Sequence, residues 1–226
     1  VSLVASAGRA SGRRFDRDRG VTTQALFFLS QLGSATGEAY AHATHYEPVP
    51  VETLGALLSR VSESFIAGST FVDVGSGMGR AVLLATEYPF KQVVGIELSA
   101  ALHAIARENI AGARNVKARC RDVRLRCGDA RRQRFPKGNL VVFLFNPFDE
   151  VVLRTVLERI LASRSPSDDV MLLYHVPVHK DVVANFAGET IHESAAGLIV
   201  RLRRSPARHD LFANRCSTES RSPRNP

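Results

Sequence analysis

Cysteine is scarce: only Cys120, Cys127 and Cys216 occur in 226 residues, and no two form a CxxC pair. That pattern suits buried or incidental thiols in a reducing compartment better than zinc or disulfides, and no metal site is expected. Long apolar runs are missing as well; nothing approaches the roughly 18 consecutive apolar residues of a membrane span. The opening stretch VSLVASAGRASGRRFDRDRG places its basic residues after its short apolar part, the reverse of an export signal. A cytoplasmic protein without membrane contact is therefore expected. No internal repeat divides the chain.

What is present is enough for one domain: 45% hydrophobic residues, a net charge of +8 and a pI near 10.0. Ten basic residues between Arg114 and Lys137 stand against only Asp122 and Asp129, a local excess of +8. The cluster either meets nucleic acid or another acidic partner, or forms a solvated arginine-rich face. Without interleaved aromatics, the second reading is preferred.

Residues 1–20 are polar and rich in glycine and arginine, and are expected to be flexible. A domain over residues 21–204 follows, opening with a helical lead-in carried by TTQALFFLSQL and PVETLGALLSRV, with the proline-punctuated HYEPVP between them. Short apolar runs then alternate with helical stretches. STFVDVG, KQVVGIEL, VRLRCGDA, NLVVFLFNPF and DDVMLLYHV read as strands. GRAVLLATEY, SAALHAIARENIAGA, DEVVLRTVLERILAS and HKDVVANF read as helices, with Ser99 placed to cap the second and Asp149 and Glu150 near the start of the third. TIHESAAGLIVRLRR closes the domain as a hairpin, and the tail 205–226 is expected to be disordered. Buried strands alternating with helices make a doubly wound, mainly parallel α/β sheet.

The turn after the first strand, FVDVGSGMGR, is a ligand-site candidate by position, because such sheets bind ligands beyond the carboxyl ends of their strands. Its glycines are Gly75, Gly77 and Gly79, flanking Ser76, with Arg80 where a dinucleotide fingerprint places its late glycine. No Lys-Ser or Lys-Thr pair follows, so the P-loop pattern fails too. Asp73 would repel a pyrophosphate and attract a cation. S-adenosylmethionine, with a sulfonium and an ammonium and no phosphate, fits that turn. Glu97, ending the second strand, can take both ribose hydroxyls, and Asp129, ending the third, can take the adenine amino group. The alternative for each is local: a tight turn for the glycines, a helix cap for Glu97, a loop acid at position 129.

At these residues the chain resembles the class I S-adenosylmethionine-dependent methyltransferases, whose first four motifs look like VDVGSGMGR, VVGIELS, RCGDA and FLFNPF. The resemblance covers about residues 45–204. It implies a Rossmann-like sheet of seven strands in the order 3-2-1-4-5-7-6, with the seventh antiparallel. DVGSGMGR, HYEPVP and the asparagine of NPF together resemble bacterial relatives of the non-SET, telomeric-silencing type of histone-lysine methyltransferase. That likeness implies that Tyr46 and Glu47 cover the methionine part of the cofactor. NPF is also similar to the Asn/Asp-Pro-Pro-aromatic motif of amino-methyltransferases. It implies that Asn146 and the carbonyl near Pro147 hold the hydrogens of a nitrogen nucleophile while Phe148 packs on the acceptor. The alternative is a plain strand-to-helix turn. The expected activity is direct methyl transfer to a nitrogen of a protein side chain or small molecule. A nucleic-acid substrate, or a nucleic-acid-binding protein on this scaffold, remains the rival; acceptor and oligomeric state are left open.

Overall fold

A computed structural model describes residues 2–24 and 47–203. Its helices are α1 (Ser2–Arg19), α2 (Val51–Leu58), α3 (Glu63–Gly68), α4 (Arg80–Ala85), α5 (Ala100–Gly112), α6 (Glu150–Ala162) and α7 (Lys180–Ala184). Its strands are β1 (Thr70–Val74), β2 (Gln92–Glu97), β3 (Val123–Cys127), β4 (Leu140–Phe145), β5 (Val170–His175), β6 (Ala187–Ser194) and β7 (Gly197–Leu202). They form one sheet in the order β3-β2-β1-β4-β5-β7-β6. The first five strands pair in parallel, and β7 runs antiparallel to both β5 and β6. The expected doubly wound architecture and strand order are present.

The continuous apolar runs of β1, β4 and β5 follow from burial on both faces, since successive side chains point to opposite sides of a strand. Val72 and Val74 of β1 join Val142 and Leu144 of β4 and the inner face of α6 on one side. Phe71, Val141 and Phe143 join α2 and α4 on the other. Asp73 is the polar interruption in β1, in register with Gly95 of β2 and Phe143 of β4.

The helix starts obey the capping rules. The Ser99 side chain accepts from Leu102 N–H, and the Asp149 carboxylate accepts from Val151 and Val152 N–H, satisfying amides that the first turn leaves without helical partners. Helix α4 stops at Ala85, short of the expected run to Tyr88. The Thr86 carbonyl accepts from Arg119 and Cys120 N–H instead of continuing the helical ladder. Helix α3, capped by Ser62, is too short for its periodicity to register in sequence.

The expectation of a flexible segment 1–20 is corrected. Residues 2–19 form a helix, and Phe15, Val21 and Leu83 build a small third core at its end. The lead-in TTQALFFLSQL lies mostly outside the described residues, as do Tyr46 and the tail 205–226.

Candidate active site

The carboxyl ends of β1, β2, β3 and β4 open on one cavity, walled on a further side by Glu47, Pro48 and Val49. Of the expected cofactor residues, Glu47, Asp73, Gly75, Ser76, Arg80, Glu97 and Asp129 line it; Gly77 and Gly79 lie in the turn behind.

The turn owes its shape to its glycines. Gly75, Gly77 and Gly79 all have positive φ, which L side chains rarely adopt. A Cβ on Gly75 would stand 2.5 Å from Cβ of Pro147, so the glycine also lets the β1 and β4 turns touch. The turn's amides point inward. Gly75 and Ser76 N–H donate to the Ile96 carbonyl at 2.8 and 3.0 Å, Gly79 N–H donates to the Ser76 carbonyl at 2.8 Å, and Gly77 N–H donates to Glu97 Oε2 at 2.7 Å. A phosphate cradle needs such N–H groups aimed at the ligand, and here they serve the protein.

The floor of the cavity is acidic. Asp73 is 3% exposed, and its carboxyl takes no hydrogen bond among the described residues. Burial, reinforced by the charge of Glu97, pushes its carboxyl up to about 8. Glu97 is also raised by burial, against the pull of the Ser99, Gly77 and Leu98 N–H groups. Its two oxygens accept from Gly77 N–H and, at 2.7 Å, from Ser99 N–H. Glu97 thus takes part in the cap-like bonding considered above while its carboxylate borders the cavity. Two adjacent buried carboxyls suit a ligand that brings positive charge and hydroxyl donors.

Asp129 has its own partner. Its carboxylate accepts from Arg131 N–H at 2.8 Å and from the Arg131 guanidinium at 2.8–3.2 Å, starting a 3₁₀ turn over Ala130–Arg132. Burial alone would raise its pKa, but the Arg131 contacts leave it below the ordinary value. Arg80 borders the cavity, yet its guanidinium turns away toward residues 16–24 and the Val49 carbonyl.

At the β4 side, Pro147 and Phe148 line the cavity whereas Asn146 does not. Asn146 takes φ 41°, and its Oδ1 accepts from the Tyr174 hydroxyl at 3.2 Å. Both features agree with the turn reading of the NPF stretch. Next to it the sequence reading overlooked His175, the last residue of β5, whose ring lies 4.6 Å from that of Phe145 in the cavity wall. Its Nδ1 sits 2.8 Å from the Ala196 carbonyl, which can only accept, so Nδ1 carries the proton. Burial lowers its pKa, against the Ala196 bond and the charge of Glu47. A histidine ending an apolar strand was the available signal. His175 and His179 are four residues apart but lie on a strand end and a loop, and no group of three metal-ligating side chains gathers among the described residues.

This sheet order is that of a Rossmann-like α/β fold, with Asp73 and Glu97 bordering the cavity on the strands before and after the glycine turn. Residues 71–166, from β1 into the loop after α6, match the family described as "Methyltransferase domain". No curated protein sequence matches the chain. Among solved structures, the glycopeptide N-methyltransferase MtfA, complexed with sinefungin, aligns at 22% identity over 57% of this chain and 54% of its own, with a TM-score of 0.43. The ribosomal protein L11 methylase of Lactobacillus delbrueckii subsp. bulgaricus aligns at 15% identity over 68% and 77%, with a TM-score of 0.47. The mitomycin 7-O-methyltransferase MmcR aligns at 19% identity over 60% and 41%, with a TM-score of 0.41. The chain spans about half the length of the glycopeptide enzyme, and these similar proteins include both N- and O-methyltransferases.

Proposed function

We propose that the protein is an S-adenosylmethionine-dependent methyltransferase acting on a nitrogen of a protein side chain or small molecule. The observation that carries the reading is the pairing of a glycine turn whose amides are satisfied internally with a buried, hydrogen-bond-poor Asp73. That combination disfavours phosphate and favours a cationic, phosphate-free nucleotide. Bound there, S-adenosylmethionine supplies a methyl group on a sulfonium, a leaving group that needs no activation.

The chain's own residues then bind and orient. Asp73 meets the positive charge, Glu97 accepts from the ribose hydroxyls, and Gly75 keeps the β1 turn against Pro147. Asp129 offers the remaining capacity of a carboxylate already fixed by Arg131, so its contact to an adenine amino group would be shared. Pro147 and Phe148 form the wall between this pocket and the ends of β4 and β5, where an acceptor would approach. Positioning of this kind supplies up to ~7–11 kcal/mol in well-oriented systems, and no covalent enzyme intermediate is required.

A nitrogen acceptor rests on the Asn146-Pro147-Phe148 stretch. A nucleic-acid acceptor, or nucleic-acid binding without transfer, is favoured instead by the exposed arginines on and around the edge strand β3, Arg121, Arg124, Arg132 and Arg134. The narrower kinship to histone-lysine enzymes finds no support in the matched family, whose description stops at the methyltransferase domain. Calorimetric titration with S-adenosylhomocysteine tests the cofactor. Transfer of a labelled methyl group into protein, RNA and small-molecule fractions of a lysate then assigns the acceptor. Absence of binding overturns the proposal.

A further inference from the structure

Arg80 is 2% exposed, an unusual position for a guanidinium on the first turn of the helix that follows the glycine turn. Its contacts reach three places. Nε donates to Thr23 Oγ1 at 2.7 Å, Nη2 to Gln24 Oε1 at 3.0 Å and to Asp16 Oδ1 at 3.5 Å, and Nη1 to the Val49 carbonyl at 3.1 Å. Asp16 in turn accepts from the N–H groups of Thr23 and Gln24 at 2.7 and 2.6 Å and from the Thr23 hydroxyl. Asn109 of α5 makes a second tie. It holds both backbone groups of Thr22 and also donates to the carbonyl of Met78, inside the glycine turn, at 2.9 Å. The end of α1 is thus bonded to the same backbone that shapes the cavity, and through Val49 to its rim.

We propose that Arg80 is a positioning residue that couples the cofactor pocket to the N-terminal helix, so that S-adenosyl binding and docking of residues 2–24 stabilise one another. The proposal rests on the cofactor reading above. A buried guanidinium left without its acceptors is costly, so undocking of residues 16–24 would pull Arg80 toward water and loosen the turn it begins. Coupling between two sites is reciprocal: whatever factor docking adds to ligand affinity, the ligand must add to docking. Arginine is needed because its planar donor fork spans separate acceptors, which a lysine ammonium does not.

The amides of Val21, Thr22, Thr23 and Gln24 are natural reporters, since their acceptors are the Asp16 carbonyl, the Asn109 side chain and the Asp16 carboxylate. Hydrogen exchange of the full chain is measured with and without saturating S-adenosylhomocysteine, beside calorimetric affinities for wild type, Arg80→Lys and Asp16→Asn. The expected result is slower exchange at residues 21–24 in the wild type on ligand addition. Both variants should show roughly 5-fold or greater loss of affinity together with loss of that ligand-induced protection. A merely structural role would speed exchange in the variants without making it respond to ligand. Wild-type binding with no change at residues 21–24, or folded variants of unchanged affinity, overturns the coupling alone. Failure of the wild type to bind overturns the cofactor reading and the coupling with it.

Discussion

If the ligand's positive charge meets Asp73, binding must first ionise a carboxyl that burial and Glu97 hold at about 8. Below that value the ligand-free pocket carries a proton that the complex does not. The affinity for S-adenosylmethionine, which carries both the sulfonium and the ammonium, should therefore climb about 9-fold from pH ~6 to ~7 and about 5-fold more from ~7 to ~8, levelling above. Near pH 7 binding should release nearly one proton, visible as a dependence of the calorimetric enthalpy on the buffer's ionisation enthalpy. Asp73→Asn should bind more weakly than wild type at pH ~8, without the slope and without proton release.

The ligand-free protein gives an independent reading of the same group. The folded pKa of Asp73 lies above the ordinary 3.8, so its contribution to stability is complete below the ordinary value and is lost as pH rises through about 8. The full loss is on the order of 5 kcal/mol. Thermal unfolding of the wild type should thus fall relative to Asp73→Asn between pH ~5 and ~9. Affinity that ignores pH, with no proton exchanged while the wild type binds, would refute the assignment of Asp73 to the ligand's charge.

Glu97→Ala should weaken S-adenosylhomocysteine binding by roughly 1.5–3 kcal/mol in a protein still folded by circular dichroism, and unchanged affinity would remove Glu97 from the site. Because Gly77 and Ser99 N–H also lose their acceptor, a drop in melting temperature should accompany it. For the basic segment, Arg132 and Arg134 are the informative pair, since Arg131 is occupied by Asp129. If RNA binds, charge reversal at both should flatten the salt slope of affinity, whereas salt-independent or absent binding returns the segment to a solvated face. Asn146→Ala should depress turnover on the acceptor found by the labelling screen far more than cofactor affinity, and wild-type turnover in the folded variant would defeat that role.

The sheet was legible because strands buried on both faces must be apolar throughout, and because Ser99 and Asp149 mark helix starts with oxygens that the first amides need. The glycine turn and its acids were legible because charge and backbone freedom are properties of residue type. The N-terminal helix was not. Its order comes from Phe15 and Asp16, whose partners include Arg80, 64 residues beyond Asp16. Gly12, which reads as flexibility, is instead a close contact: a Cβ there would fall 1.7 Å from Gln24 Oε1 and 2.9 Å from Arg80 Nη1. Pairing at that separation leaves no local pattern. The direction of the Arg80 guanidinium was illegible for the same reason, since position beside a ligand turn says nothing of where a long side chain is drawn.

The ends of β4 and β5 are built differently from the end of β1. Where β1 ends in glycines, β4 and β5 each end next to a non-glycine residue of positive φ, Asn146 at 41° and Val176 at 50°. Asparagine tolerates that region, but a β-branched valine there is strained, at a cost of about 1–3 kcal/mol. Such strain persists only where neighbours over-determine it. Here His175 is fixed by the Ala196 carbonyl, Val178 N–H returns to the Val176 carbonyl at 2.8 Å, and the Tyr174 hydroxyl donates to Asn146. The exposed large apolar residues among those described are Val151, Val176 and Val178, and all three lie just beyond these two strand ends. On the proposed reading an acceptor would approach past these valines, whereas the acids that line the cavity, Asp73, Glu97 and Asp129, stand at or just beyond the ends of β1, β2 and β3. The proposal accordingly expects discrimination among acceptors to come from shape and from the polar groups at these strand ends, Asn146 and His175, more than from attraction between charges.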